Sequence, residues 1–146
     1  IFDFFPKNHL EVLDRMGAIA MLHIPRHGRL KDQVNIQQIL EIKRDFPKLR
    51  LIVAHIGRAY TKGDVGDAFE YLTQAPDLMY DFCANCCEYA ITEVIKHAGV
   101  KNVMFGSDMP IAFASCYGQV LEANLTDEER EKIFWKNTAE LFGEGF

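Results

Sequence analysis

The sequence predicts an α/β fold in which parallel strands alternate with helices. Four short segments are apolar at nearly every position, which is typical of strands covered on both faces of a parallel sheet. Segments with helical periodicity follow these strands, and turn residues such as Gly17, Pro47 and Gly99 separate the elements. Repeated strand–helix alternation of this kind favours one parallel sheet with helices packed against it.

The composition restricts the classes of function. The chain has 146 residues, which suits one domain over residues 1–146, and its net charge of -5 argues against a nucleic-acid partner. No apolar run approaches the roughly 20 residues that a membrane helix needs, and the first residues do not resemble a signal peptide. The 4 cysteines are too few and too clustered for a disulfide scaffold, so we expect a reduced, cytoplasmic protein.

The first predicted helix follows Pro6. Asn8 can cap it, with Glu11 three residues later as in a capping box. One apolar face is expected from Leu10, Leu13 and Met16. Gly17 then provides the stop.

Two strands and a second helix follow. Residues 18–24 form the first strand, and a basic loop leads from it to Asp32, which can cap the second helix. That helix ends at Pro47, and the second strand runs over residues 51–56. Residues 57–63, with two glycines, are expected to form a flexible loop.

The second half of the chain repeats this pattern. Asp64 begins the third helix, residues 78–83 form the third strand, and Asn85 can cap the fourth helix. The fourth strand covers residues 103–106. Four strand–helix units make half of a (β/α)8 barrel, which typically takes about 250 residues.

The C-terminal segment follows the fourth strand. A loop containing Tyr117 and Gly118 is expected before Thr126, whose T-D-E-E sequence is a capping box. The final helix then runs to about Phe142, with Ile133 and Phe142 among its inward-facing residues.

Three polar side chains come at the ends of predicted strands. His23 and His55 end the first two strands, and Asp108 follows the fourth. Because the carboxyl ends of parallel strands meet at one face, we expect the three to converge. Two imidazoles and a carboxylate are suitable ligands for zinc or a related divalent metal.

The third strand carries less decisive candidates. Asp81 could reach the same pocket or pair with a nearby arginine, and the sequence leaves both readings open. Cys83 and Cys86 form a C-x-x-C, but no second pair follows, so we do not expect these thiols to bind metal.

The chain resembles the C-terminal half of the amidohydrolase superfamily. The resemblance is to the branch that also contains decarboxylases of the aminocarboxymuconate-semialdehyde type. It covers almost the whole chain and is carried by the segments LHIPRHGRLKD, LIVAHIGRAY, YDFCAN, VMFGSDMP and REKIFWKNTAELFG. It implies that His23, His55 and Asp108 end the fifth, sixth and eighth barrel strands as ligands of a divalent metal, zinc being expected. His55 and Asp108 would also be catalytic.

The resemblance implies hydrolysis of a C–N or C–O bond in a small molecule. Arg26, Arg29 and Arg58 lie in loops on the same face and would suit an anionic substrate, although solvated loop charges are an equal reading. The alternative reaction is metal-dependent decarboxylation with the same ligands.

One part of the family pattern is absent from the sequence. The H-x-H pair of the first barrel strand, which supplies two further ligands, is not found. Activity is therefore expected only when an N-terminal half completes the barrel. A third reading follows, in which the chain is an inactive fragment or a partner-binding half-barrel that forms homo-oligomers through its exposed strand edges.

Overall fold

A sheet of four parallel strands forms the centre of the structure. The computed structural model describes residues 1–24, 28–83 and 88–143. Each strand pairs with the next one in the chain, in the order β1-β2-β3-β4. The strands are β1 (Ile19–Leu22), β2 (Arg50–Val53), β3 (Met79–Asp81) and β4 (Val103–Met104). Consecutive parallel neighbours joined by helical crossovers are the arrangement of one half of a (β/α)8 barrel, which confirms the predicted fold class.

Helices connect the strands and cover the sheet. A three-residue 3₁₀ helix precedes α2 at Arg29–Lys31, and another precedes β4 at Val100–Asn102. A π-helical turn, Lys132–Lys136, lies between the last two α-helices. The α-helices are α1 (Lys7–Met16), α2 (Gln33–Asp45), α3 (His55–Arg58), α4 (Lys62–Val65), α5 (Ala68–Leu72), α6 (Glu88–Ala98), α7 (Phe113–Glu122), α8 (Asp127–Glu131) and α9 (Asn137–Phe142).

The main core lies between the sheet and these helices. Strand residues such as Leu51, Val53 and Tyr80 are buried there against helical residues such as Ile39. Alternate strand residues point to the opposite face of the sheet. On that face a small second cluster forms from Ile52, Met79 and Met104, with Ile19 and Leu141 packed beside it. The site described below lies beyond this cluster, at the carboxyl ends of the strands.

The capping predictions for two helices are confirmed. The Asp32 carboxylate accepts hydrogen bonds from the backbone N–H groups of Val34 (2.9 Å) and Asn35 (3.3 Å) at the start of α2. Thr126 and Glu129 form the reciprocal capping box at the start of α8. Gly17 ends α1 in the left-handed conformation, as expected.

Other local predictions are wrong. Asn8 does not cap α1, because the helix begins directly after Pro6 and Asn8 lies inside it. Tyr117 and Gly118 lie in α7 rather than in a loop. Buried residues at positions 116 and 120 of that helix provide the apolar spacing that stabilises it. Met16 and Phe142, expected inside, are 73% and 43% exposed.

Two further elements differ from the sequence-based expectation. The loop predicted over residues 57–63 contributes to α3 and α4. The single helix expected from Asp64 is divided into α4 and α5, with Gly66 between them at φ +54°. The predicted cap at Asn85 lies outside the described residues. None of the helices in the described part of the chain is long and apolar enough to cross a bilayer.

Candidate metal centre

Side chains from three neighbouring strands meet at one edge of the sheet. His23 directly follows β1, His55 comes two residues after β2, and Asp81 is the last residue of β3. The His23 and His55 rings lie edge to face, with centroids 5.2 Å apart. Parallel strands in consecutive order therefore bring the two predicted histidines together.

His23 is suited to act as a neutral ligand. The partial loss of water around its ring is the first cause that lowers its pKa, even though the residue as a whole is exposed. The charges of His55 and Arg58 lower the pKa further, whereas Asp108 and Asp81 oppose the shift. The net direction favours the uncharged imidazole near neutral pH, which is the form that binds a metal.

His55 is held through both its backbone and its ring. Its backbone N–H donates to Oδ1 of Asp81 at 3.2 Å, and its Nδ1 lies 2.8 Å from the carbonyl oxygen of Cys83. A carbonyl oxygen can only accept, so Nδ1 must carry the proton in this contact. In the neutral ring the lone pair is then on Nε2, which can take a metal or a proton.

Asp81 provides a buried carboxylate with one oxygen left without a partner. The residue is only 3% exposed. Its Oδ1 accepts from the backbone N–H of His55, and from the N–H (3.0 Å) and thiol (2.6 Å) of Cys83. Its Oδ2 is buried and has no hydrogen-bond partner among the described residues. Such an oxygen is costly to bury alone, and a bound cation would satisfy it.

A divalent metal therefore fits the donor set at this edge. Ligand atoms of His55, Asp81 and Cys83 lie within 4.8 Å of one another. Among the described residues, His23 and Asp108 lie outside this close group. Nitrogen and carboxylate donors of this kind suit zinc and neighbouring metals.

Cys83 acts here as a protonated thiol. Burial raises its pKa well above the ordinary range, and the hydrogen bond to Asp81 and the charge of that carboxylate raise it further. At neutral pH the thiol thus remains a hydrogen-bond donor. The sequence carries one signal for this contact, because positions 81 and 83 lie on the same face of the predicted third strand.

Gly106 permits the close approach of the segment after β4 to this cluster. A Cβ at this position would lie 3.0 Å from Cβ and 3.2 Å from Sγ of Cys83, and 3.3 Å from Oδ1 of Asp81. These distances are shorter than ordinary van der Waals contact. The glycine in the FGSDMP segment is therefore explained by packing against the site.

Asp108 lies outside the close group of His55, Asp81 and Cys83. The residue is exposed, and its backbone has φ +48°, in the left-handed region that a residue with a Cβ adopts only at a cost in energy. Its charge nevertheless acts on both His23 and Cys83. The structure thus places this carboxylate within electrostatic reach of His23 and Cys83.

The three predicted substrate arginines have different positions. Arg26 lies outside the described residues. Arg29 donates to Asp64 at 2.8 Å and packs over the ring of Tyr60, so its guanidinium is already partnered. Arg58 lowers the pKa of His23, which places its positive charge beside the site.

Solved structures with the same fold include decarboxylases and amidohydrolases. An amidohydrolase from Burkholderia multivorans with bound zinc has a TM-score of 0.75 and 13% identity, over 92% of this chain and 56% of that one. A 2,6-dihydroxybenzoate decarboxylase from Rhizobium has a TM-score of 0.69 and 15% identity, over 93% and 54%. A dihydroxybenzoic acid decarboxylase from a Polaromonas species, with manganese and 2-nitroresorcinol, has a TM-score of 0.65 and 14% identity, over 92% and 52%.

These similarities show the fold, and the chain spans about half the length of the structures that it matches. No curated protein matches the sequence. The sequence profile of the amidohydrolase family, however, matches residues 4–143, which is nearly the entire chain. The chain therefore belongs to the amidohydrolase family.

Proposed function

We propose that this chain supplies half of the active site of a metal-dependent hydrolase that cleaves a C–N or C–O bond in a small molecule. Two features of the described residues carry the proposal: a buried carboxylate oxygen on Asp81 that has no partner among them, and an imidazole on His55 whose Nδ1 faces the Cys83 carbonyl and so leaves Nε2 for a ligand. A second imidazole, His23, lies against that ring.

The metal would be held by His23, His55 and Asp108, with Oδ2 of Asp81 as an additional oxygen donor. When bound, such an ion supplies a Lewis acid that polarises a substrate carbonyl and makes water more acidic. We propose zinc, because two imidazoles and a carboxylate form a donor set that zinc commonly takes. Manganese is the alternative, since the same donors accept it.

Protein groups near the metal would handle the proton. Asp108 is exposed, so its carboxylate can accept a proton from the attacking water and release it to solvent. His55 has its proton on Nδ1, where it bonds to the Cys83 carbonyl. Its Nε2 therefore acts as a ligand or a base, and not as a hydrogen-bond donor to substrate.

The substrate is proposed to be small and anionic. A cavity of about 390 Å³ opens beside His23 and is lined by apolar side chains that include Phe4, Phe5 and Met21. That volume suits a small molecule. Arg58 provides a positive charge on the same side, which would attract a carboxylate.

Decarboxylation of a carboxylic acid is the second candidate. It is favoured by Arg58, since the substrate of such a reaction carries a carboxylate, and by the fold shared with dihydroxybenzoate decarboxylases. In this reaction His55 would stand near the metal without ligating it, and its Nε2, once protonated, would deliver the proton that replaces the carboxylate. A cytoplasmic location, and completion of the barrel by an N-terminal half or by a second copy, remain predictions.

Zinc binding tests the proposal directly. Purified chain is titrated with zinc by calorimetry, and the same titration is made on His55→Gln, Asp108→Asn and His9→Gln. His9 is an exposed histidine on α1, so its variant is a matched control. We expect near-stoichiometric binding that is lost in His55→Gln, weakened in Asp108→Asn and unchanged in His9→Gln.

The reaction is then tested with the zinc-loaded chain combined with an N-terminal half-barrel that carries the H-x-H pair. A panel of amides, esters and lactones is compared with aromatic carboxylic acids, and the release of acid or of carbon dioxide is measured. Acid release supports hydrolysis, and carbon dioxide supports the second candidate. Zinc binding that is equal in wild type and His55→Gln would contradict the first candidate, in which His55 is a ligand.

A further inference from the structure

Asp81 and Cys83 make contacts that neither metal binding nor substrate binding explains. Oδ1 of Asp81 collects three donors: the backbone N–H of His55 at 3.2 Å, the backbone N–H of Cys83 at 3.0 Å and the Cys83 thiol at 2.6 Å. Three donors on one oxygen fix the orientation of the carboxylate. The carboxylate thus joins the end of β3 to the residue that follows β2.

His55 needs such a contact because its backbone is strained. All four residues of α3 have positive φ: His55 +54°, Ile56 +49°, Gly57 +63° and Arg58 +60°. A left-handed turn is costly for residues with a Cβ and persists only where the surrounding structure stabilises it. The hydrogen bond from the His55 N–H to Asp81 acts on the first residue of this turn.

The ring of His55 is oriented by the same strand. Nδ1 donates to the Cys83 carbonyl at 2.8 Å, and Sγ of Cys83 lies 3.1 Å from the same nitrogen. The sulfur is therefore on the Nδ1 side of the ring, while the available lone pair is on Nε2. Since the thiol proton also goes to Asp81, Cys83 is placed as a hydrogen-bond donor and not as a metal ligand.

We propose that Asp81 and Cys83 are positioning residues that hold His55 in its Nδ1–H tautomer and so reserve Nε2 for metal or for a proton. Asp81 fixes the backbone of His55 and the orientation of residue 83, whose carbonyl selects the tautomer. The cysteine side chain completes the arrangement by donating to the carboxylate. The positioning of His55 can be tested in the metal-free chain. Only the statement that Nε2 then binds metal or a proton rests on the proposed function.

The tautomer can be measured by nitrogen-15 NMR of the imidazole in the metal-free chain at about pH 8, where histidine is neutral. We expect the Nδ1–H form for His55 in wild type and in Cys83→Ser, since a serine hydroxyl also donates. Asp81→Ala removes the carboxylate that holds the His55 backbone and residue 83 in place, so the Cys83 carbonyl is no longer fixed against Nδ1. His55 should then shift toward the Nε2–H form that histidine favours in water. If Asp81→Ala does not fold, Asp81→Leu fills the buried space without offering an acceptor.

Two NMR results would overturn the proposal. The first is an Nε2–H tautomer in wild type. The second is a folded Asp81→Ala chain whose His55 remains fully in the Nδ1–H form. An Nδ1–H tautomer in a chain that binds no zinc would support the positioning role and reject the metal function, so the two proposals fail separately.

Metal binding gives a second readout. We expect Asp81→Asn to weaken zinc binding by about 10- to 100-fold, because it alters both the proposed oxygen donor and the group that orients His55. The tautomer measured by NMR, and not this affinity, separates the two roles. Cobalt tests the role of the thiol, because a coordinated thiolate gives an intense near-ultraviolet band. We expect no such band. A band that is lost in Cys83→Ala and kept in Cys116→Ala, the other buried cysteine of the described chain, would make Cys83 a ligand and overturn its assigned role.

Discussion

Replacing Gly57 by alanine tests how the left-handed turn beside the site is packed. Gly57 has φ +63° and ψ +29°. An added Cβ would lie 2.7 Å from Cδ1 of Leu30 and 3.0 Å from Cδ1 of Ile24. Both neighbours are 0% exposed, so neither can move away without disturbing the core. We expect the free energy of unfolding to fall by about 1–2 kcal/mol because alanine must adopt the left-handed conformation, and by about 1–3 kcal/mol more because its Cβ overlaps these side chains.

Gly17→Ala is the matched control. Gly17 has nearly the same backbone, φ +60° and ψ +34°, but nothing lies within 4 Å of the added Cβ. Urea unfolding followed by circular dichroism gives the free energy of unfolding for each variant. Gly57→Ala should be less stable than Gly17→Ala by the overlap alone, about 1–3 kcal/mol. Equal losses in the two variants would refute the packing argument.

Two further substitutions test polar contacts by urea unfolding, one partly buried and one buried. Burial by itself would raise the pKa of Asp64, but hydrogen bonds from Thr61 and the charge of Arg29 lower it overall. The carboxylate therefore stabilises the fold above about pH 4 and loses this effect as the pH falls through its lowered folded-state pKa. Asp64→Asn should lower the free energy of unfolding by about 0.5–1 kcal/mol at neutral pH, and by progressively less as the pH falls through the lowered pKa of Asp64. A loss that does not change with pH would contradict this. Asn102 is 3% exposed and donates to two carbonyls, each at 2.8 Å. Asn102→Ala should lower the free energy of unfolding by about 2–3 kcal/mol, whereas Asn8→Ala on the surface should lower it by less than about 0.5 kcal/mol. Similar losses in the two variants would contradict a stabilising role for the buried hydrogen bonds of Asn102.

The repeated pattern of the chain explains why the sheet could be predicted. Apolar strands separated by helices leave few arrangements other than a parallel sheet in chain order. That order alone places the ends of β1 and β2 side by side, so the neighbourhood of His23 and His55 follows from where they stand in the sequence. Caps such as Asp32 were predictable for a similar reason, because they depend on contacts only two or three residues away.

The contacts between strands were not predictable in the same way. The sequence left open whether Asp81 reaches the site or pairs with an arginine, and it predicted no metal binding by Cys83. Their importance depends on a hydrogen bond across 26 residues and on a left-handed turn that only Gly57 suggests. Packing against several elements at once determines side-chain rotamers and strained backbone conformations, so a local sequence pattern does not predict them.

The sequence by itself therefore determined the strand order and the face on which the polar side chains meet, because periodicity and spacing are local properties. Only the tertiary structure decided which atoms are available there. It placed Nδ1 of His55 against the Cys83 carbonyl, left Oδ2 of Asp81 buried without a partner among the described residues, and engaged Arg29 with Asp64. These outcomes depend on distances between segments that are far apart in the chain, which the order of residues does not specify.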